Sequence, residues 1–288
     1  MISTAVAFFI FNRPEPTQKV FQAIRRLQPP VLYVVADGPR SGRDGEVEKC
    51  RETRGLLDQI DWPCEVHTNF AERNLGCKWR MASGLDWVFS KEEKAIILED
   101  DCVPDQSFFP FCEELLTRYR DDQRVMTICG GNYQDGQVRS NDSYYFSKYP
   151  RIWGWASWRR AWQYYDINMQ LWPLIRDGKW LLDICGGHVK VAQHFHNIFE
   201  TAFHQKIDTW DYQWLFSHFV HRGMTIIPNK NLISNIGCGV DATHTTIASD
   251  PCANLPLASM SFPLQHPTYM IENYFQDAVT LKKDFRIY

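Results

Sequence analysis

The sequence of 288 residues has no Cys-x-x-Cys pair among its nine cysteines. That removes the usual cysteine frame of a zinc site. The count is odd and the spacing scattered, so the plain reading is buried free thiols in a reducing compartment. No apolar run is long enough to span a bilayer. The apolar opening, Met1 to Phe11, lacks a basic flank and gives way at once to Asn12-Arg13-Pro14. No signal peptide is expected from it. There is no excess of positive charge: 31 basic residues face 34 acidic ones, for a net −3. That leaves no electrostatic footprint for nucleic acid. The first strand is not followed by Gly-x-Gly-x-x-Gly, and no P-loop occurs. Internal repeats and low-complexity tracts are absent as well.

What is present is an apolar share of 44%, enough for a sizeable core. Aromatics reach 14%, with many of the 11 tryptophans and other rings between residues 144 and 180. Ala5 to Phe11 reads as a buried strand, and Val20, Ile24 and Leu27 mark the stripe of a helix opened by Pro14. Strands are then predicted at Val31–Val35, Cys64–His67 and Lys94–Leu98, with helices at 44–60, after Gly76, and at 107–119. Four strand–helix alternations argue for a doubly wound α/β fold with a mostly parallel sheet covered on both faces. Beyond residue 125 the pattern predicts strands at 125–129, 143–146 and 225–228. It predicts helices at 189–203, from about 208, and near 269–281. The division expected is a first half over 1–125, a second half of the same domain over 126–245, and a C-terminal extension over 246–288.

The candidate chemistry centres on Glu99-Asp100-Asp101. Three adjacent acids repel one another, so a cation must sit among them or the chain must turn them apart. Pro104 predicts that regular structure stops just beyond. In an open α/β sheet, ligands bind outside the carboxyl ends of the strands. Acids placed there suit a hard divalent cation that also holds phosphate oxygens. The plainer alternative is a solvated acidic turn.

Other candidates follow the same edge. Asp37, in Ala-Asp-Gly-Pro, either accepts hydrogen bonds from a base or ribose or merely makes an Asp-Gly turn. Arg73 and Asn74 precede Gly76 at a predicted helix start, where anions are attracted. Arg13 holds the equivalent place after the first strand. Trp153-Gly154-Trp155 either offers aromatic faces for a sugar ring, with Gly154 permitting close backbone approach, or simply packs in the core, the commoner reason for any single one of these tryptophans. Asp211 stands at a predicted helix start as a cap or a general base, with Asp208 as its competitor. His244 lies in a Gly/Thr loop, unlike the histidines at 188–221, which read as structural or surface.

Taken together, these residues resemble those of GT-A-fold glycosyltransferases, of the inverting N-acetylglucosaminyltransferase I type and of bacterial family-2-like relatives. The likeness spans about residues 4 to 245. It rests on the acid triplet as a form of the DxD motif, on Trp153-Gly154-Trp155, on Trp210-Asp211, and on Asn12-Arg13-Pro14 with Asp37. The resemblance implies a Rossmann-like sheet with an acceptor-side second half. It implies that Asp101 binds Mn²⁺ or Mg²⁺, with His244 as a late ligand. Glu99 and Asp100 would hold ribose or donor sugar, Asp37 would read a uracil base, and Asp211 would be the catalytic base. The spacing after Asp211 departs from the family pattern at Tyr212-Gln213. The implied partners are a UDP-sugar donor and a glycan or lipid-linked acceptor, with the enzyme in the cytoplasm or peripheral at the inner face of a membrane. Two rivals are a sugar nucleotidyltransferase and a non-catalytic carbohydrate- or nucleotide-binding protein.

Overall fold

The computed structural model describes residues 2–237 and 251–287. The chain begins with β1 (Ala5–Ile10), α1 (Pro14–Leu27), β2 (Val31–Ala36) and α2 (Glu46–Gly55), and a short 3₁₀ turn (Leu56–Gln59). It continues through β3 (Glu65–Phe70), α3 (Gly76–Lys91), β4 (Lys94–Glu99), β5 (Cys102–Pro104), α4 (Phe108–Arg118) and β6 (Val125–Cys129). Then come β7 (Tyr144–Ser147), β8 (Trp155–Trp158), α5 (Arg159–Trp162), α6 (Trp172–Asp177), α7 (Trp180–Ile184) and α8 (Val189–Phe203). The last elements are α9 (Asp211–His221), β9 (Met224–Pro228), β10 (Ile233–Asn235) and α10 (Tyr274–Lys283). No helix among the described residues is long and apolar enough to cross a membrane.

The fold is α/β, with an eight-stranded sheet in the order β3-β2-β1-β4-β8-β6-β9-β7. The first four strands run parallel, as the alternation predicts. β8 enters antiparallel between β4 and β6, β9 is parallel to β6, and β7 closes the edge antiparallel. Period-2 alternation explains why both faces are buried. Val6, Phe8 and Ile10 of β1 join Val20, Phe21 and Ile24 of α1 and the phenylalanines of α4 in one core. Ala5, Ala7 and Phe9 join Met81, Leu85 and Val88 of α3 in the other. A third apolar cluster, built on Trp172, Phe195, Phe199 and Phe216, welds α6 to α9. The eight described cysteines are free thiols, and Cys238 lies outside the described residues.

Two departures from the sequence reading bear on the site. Pro104 does not stop regular structure at once. It ends β5, which pairs with β10 through Ile233 opposite Pro104 and Asn235 opposite Cys102. A proline is tolerated at the end of a two-stranded ribbon because its missing N–H is not needed there. The second departure is Trp155–Trp158, an aromatic run that proves to be a central strand. Trp155 faces one core while Ala156 and Trp158 face the other. Before it, Gly154 has a φ of +63°, and a Cβ there would be driven into Ile233 of β10. Replacement of Gly154 by alanine is expected to lower stability by roughly 1–3 kcal/mol, read as a shift of the urea midpoint. An unchanged midpoint would show that β10 yields freely.

Candidate functional site

The carboxyl ends of β1, β2 and β4 lie side by side because these strands are parallel neighbours. They form one wall of a cleft of about 580 Å³. From β1 and the turn after it come Phe11 and Arg13, from β2 Asp37, and from β4 and its end Glu99, Asp100 and Asp101. The facing wall holds Trp153, Asp211 and Tyr212. Thus Arg13, Asp37, Asn74, Glu99, Asp100, Asp101, Trp153 and Asp211 all line one cleft, although they span nearly 200 positions of the chain.

The cation among the three acids is Arg13. Its Nη2 pairs with Asp100 Oδ1 and, at 2.8 Å, with Asp101 Oδ2, while Nε reaches Asp100 Oδ2 at 3.4 Å. Burial works against the charged guanidinium, but the two aspartates outweigh it and hold its pKa above the usual value. Asp100 is pushed up to about 6 by burial, against the pull of Arg13. Glu99 is driven well above the ordinary carboxylate range by burial, with the charges of Asp101 and Asp100 adding to it. Its Oε1 is shut off from solvent without a hydrogen-bond partner. Such an atom is costly unless something else meets it.

The start of α3 is different from what Arg73-Asn74-Gly76 suggests. Its first amides are already satisfied by two carboxylates from elsewhere. Asp37 accepts from the backbone N–H of Leu75 at 2.9 Å and of Gly76 at 3.1 Å. Asp208 accepts from Cys77 and Lys78, both at 2.9 Å. This helix terminus therefore has no amides left for a phosphate, since each cap consumes an orphan donor. Arg73 is exposed and outside the cleft wall. Its backbone lies so close to Gly38 that any Cβ at Gly38 would overlap it. Asn74 does line the cleft and donates to Asp37 Oδ2 and to the Gly38 carbonyl, both at 3.0 Å. Asp37 is thus the anchor that joins the β2 turn to α3. Burial raises its pKa, and the N–H groups of Leu75, Gly38 and Gly76 oppose that rise.

On the facing wall the Trp153-Gly154-Trp155 segment splits. Trp153 lines the cleft, edge-on to Tyr133 at 5.9 Å. Trp155 is fully buried and stacks on Trp210 at 5.6 Å, so it belongs to the core and is not among the residues lining the cleft. The backbone approach that Gly154 allows is to β10. Asp208 and Asp211 also separate. Asp208 is committed to the α3 amides. Asp211 lines the cleft, half-buried, where the Thr209 hydroxyl and the Tyr212 N–H (3.0 Å) donate to its Oδ1. His218 is buried against Thr127 at 3.0 Å, consistent with a structural histidine. His244 lies outside the described residues.

Residues not anticipated also line the cleft: Tyr133, Arg151, Tyr212, Asp284 and Phe285. Arg151 had a signal available, since it stands two residues before Trp153. Nothing local in the sequence marks Asp284.

The carboxylate oxygens at the end of β4 are of the hard type that a divalent cation takes. Among the described residues, no cluster of three or more His, Cys, Asp or Glu side chains is arranged as a complete ligand set.

No known family pattern matches the chain, and no curated protein matches it in sequence. Solved structures do resemble it in shape. TarS of S. aureus (residues 1–349) is 7% identical, with a TM-score of 0.43, over 81% of this chain and 60% of that one. GalNAc-T7, solved with UDP, GalNAc and Mn²⁺, is 11% identical, with a TM-score of 0.44, over 79% of this chain and 43% of that one. Mouse xyloside xylosyltransferase 1 is 11% identical, with a TM-score of 0.37, over 77% and 84%. This chain therefore spans less than two thirds of the first two. The reading of the site rests on its own residues.

The two aspartates of the facing wall provide a test. Asp208→Ala should cost about 1 kcal/mol of stability through the lost cap and speed amide exchange at the start of α3. Asp211→Asn should leave both nearly unchanged. Equal destabilisation by the two would undo the separation of their roles.

Proposed function

We propose that the chain is a glycosyltransferase that moves a sugar from a nucleotide-diphosphate sugar, UDP-linked, to a hydroxyl acceptor with inversion. The observation that carries this reading is that Asp211 lines the same cleft as Arg13 and the acid triplet. Direct displacement needs a charged site for the leaving diphosphate on one side and a carboxylate for the acceptor proton on the other.

In this reading Arg13 exchanges part of its pairing with Asp100 and Asp101 for the diphosphate oxygens. Glu99 and Asp100 hold ribose or donor-sugar hydroxyls, and the unpartnered Glu99 Oε1 is the natural acceptor. Asp37 and Asn74 shape the wall beside the base, Asp37 through the turn that it anchors. Asp101, with His244 as the further ligand expected from the sequence, would hold Mn²⁺ or Mg²⁺, whose chemistry is Lewis-acid stabilisation of negative charge. Trp153 offers a ring face to the acceptor sugar. Asp211 takes the acceptor proton, with Thr209 and the Tyr212 amide orienting its Oδ1. The sugar passes through oxocarbenium character, as in glycoside hydrolysis. The acceptor would be a glycan or lipid-linked sugar in surface glycan synthesis.

Asp211→Asn is expected to cut transfer by roughly 10²–10⁴-fold while nucleotide still raises the unfolding temperature. Asp101→Ala is expected to abolish the part of that thermal shift that depends on Mn²⁺. Wild-type turnover in Asp211→Asn would end the assignment of the base. Absence of any shift with UDP, GDP or dTDP, with and without Mn²⁺, would end the transferase reading.

A further inference from the structure

The cleft is also lined by an ion pair between a buried arginine and an open carboxylate that the donor chemistry leaves unused. Arg151 is 5% exposed. Its Nη1 donates to Asp284 Oδ2 at 2.6 Å, and its Cζ lies 4.0 Å from the centroid of the Tyr133 ring. Its Nη2 is shut off from water and has no hydrogen-bond partner. A buried guanidinium nitrogen without an acceptor is unfavourable, and a ligand meets it only by displacing the side chains that cover it. Asp284 keeps 33% of its side chain open. Arg151, Asp284 and Tyr133 line the same cleft as Asp211. Tyr212 lines the cleft as well, its phenol pushed up to about 12 by burial and then by the fields of Asp211 and Asp284.

The pair is held by a docked helix. Asp277 of α10 accepts from the Ser147 hydroxyl at 2.6 Å and from the Lys148 N–H at 3.1 Å. Gln134 Nε2 donates to the Gln276 carbonyl at 3.2 Å and to Thr280 Oγ1 at 3.1 Å. Asp284 directly follows the last turn of α10, so these bonds set its position.

We propose that Arg151 and Asp284 form an acceptor subsite for an uncharged pyranose, binding neighbouring hydroxyls of the ring that presents its reacting hydroxyl to Asp211. This rests on the glycosyl-transfer reading. The pair itself selects the chemistry. Arg151 can only donate, and the Asp284 carboxylate that it pairs with accepts, while a sugar hydroxyl does both. An anionic ring, a uronate or a sugar phosphate, would gain from Arg151 but meet the charge of Asp284, so the balanced pair discriminates against it. Trp153, edge-on to Tyr133, supplies the apolar flank that a pyranose ring packs against.

The test is saturation-transfer NMR on the full chain with UDP and Mn²⁺ present, using methyl β-D-glucopyranoside and methyl β-D-galactopyranoside against methyl β-D-glucuronide. The wild-type protein should transfer saturation to at least one neutral glycoside and not to the glucuronide. Asp284→Asn keeps the shape and removes the charge. It should weaken the neutral glycoside roughly tenfold and admit the glucuronide. Equal or better binding of the glucuronide by the wild type, binding of none of the three, or an unchanged preference in Asp284→Asn overturns the subsite. The wild-type preference decides the matter even where the variant fails to fold. Nucleotide binding, read separately by thermal shift with UDP, GDP and dTDP, judges the transferase reading: glycoside selectivity without nucleotide binding would sink that reading and leave a pyranose-binding site stripped of its acceptor role.

Discussion

Gathering three adjacent carboxylates at the end of a central strand, Asp100 buried and Glu99 and Asp101 half-buried, is the constraint around which this structure is arranged. Removing carboxylates from water is costly unless charge or hydrogen bonds compensate. Arg13 provides the compensation for Asp100 and Asp101. It can do so because β1 and β4 are parallel neighbours, which brings the turn after β1 to the turn after β4. Pro14 opens α1 directly behind it and fixes where the guanidinium starts. On the outer side, the backbone of Gly237 passes against Asp101 with no room for a Cβ. Glu99 is the acid left over, half-buried at the strand end with one buried oxygen unmet.

A second pair of carboxylates joins the two walls. Asp37 and Asp208 together satisfy the amides of residues 75–78 at the start of α3. Asp37 belongs to the strand-end wall, and Asp208 stands three residues before Asp211 on the other. Capping one helix with both carboxylates ties the β2 turn and the segment before α9 to the same helix start. Gly76 is required at this junction: its φ is +80°, and a Cβ there would press on the Asp208 carboxylate. Beneath the cleft, Trp155, Trp162, Trp210 and Trp214 pack ring against ring. Large rings with few rotamers make a stiff floor, so the start of α9, and Asp211 with it, is held firmly.

The C-terminal helix completes the facing wall. α10 is bound to the edge strand β7 by side-chain and backbone bonds, including Asn273 N to the Phe146 carbonyl at 2.7 Å. It delivers Asp284 to Arg151 across 133 positions of sequence. A buried arginine carried by the loop before β8 thereby acquires a partner without which it would be an isolated charge.

The strands and helices of the first half were legible from the sequence because apolar period and turn residues are local signals. So was the acid triplet at a strand end, because both its charge and the apolar run before it are contiguous. The strand Trp155–Trp158 was hidden because bulky rings on both faces erase the polar–apolar alternation that marks a strand. The same loss of contrast made Trp155 look like a ligand platform. Asp37 and Asp208 looked like ligands or bases because a residue's own segment does not reveal which distant amides it will cap. Tertiary structure alone decided that Arg13 is the cation among the acids, that the start of α3 is closed to phosphate, and that Asp284 meets Arg151. The sequence by itself determined the α/β alternation and the acids at the end of β4. The pairing of charges far apart in the chain depends on which strand ends become neighbours, and only the folded sheet decides that.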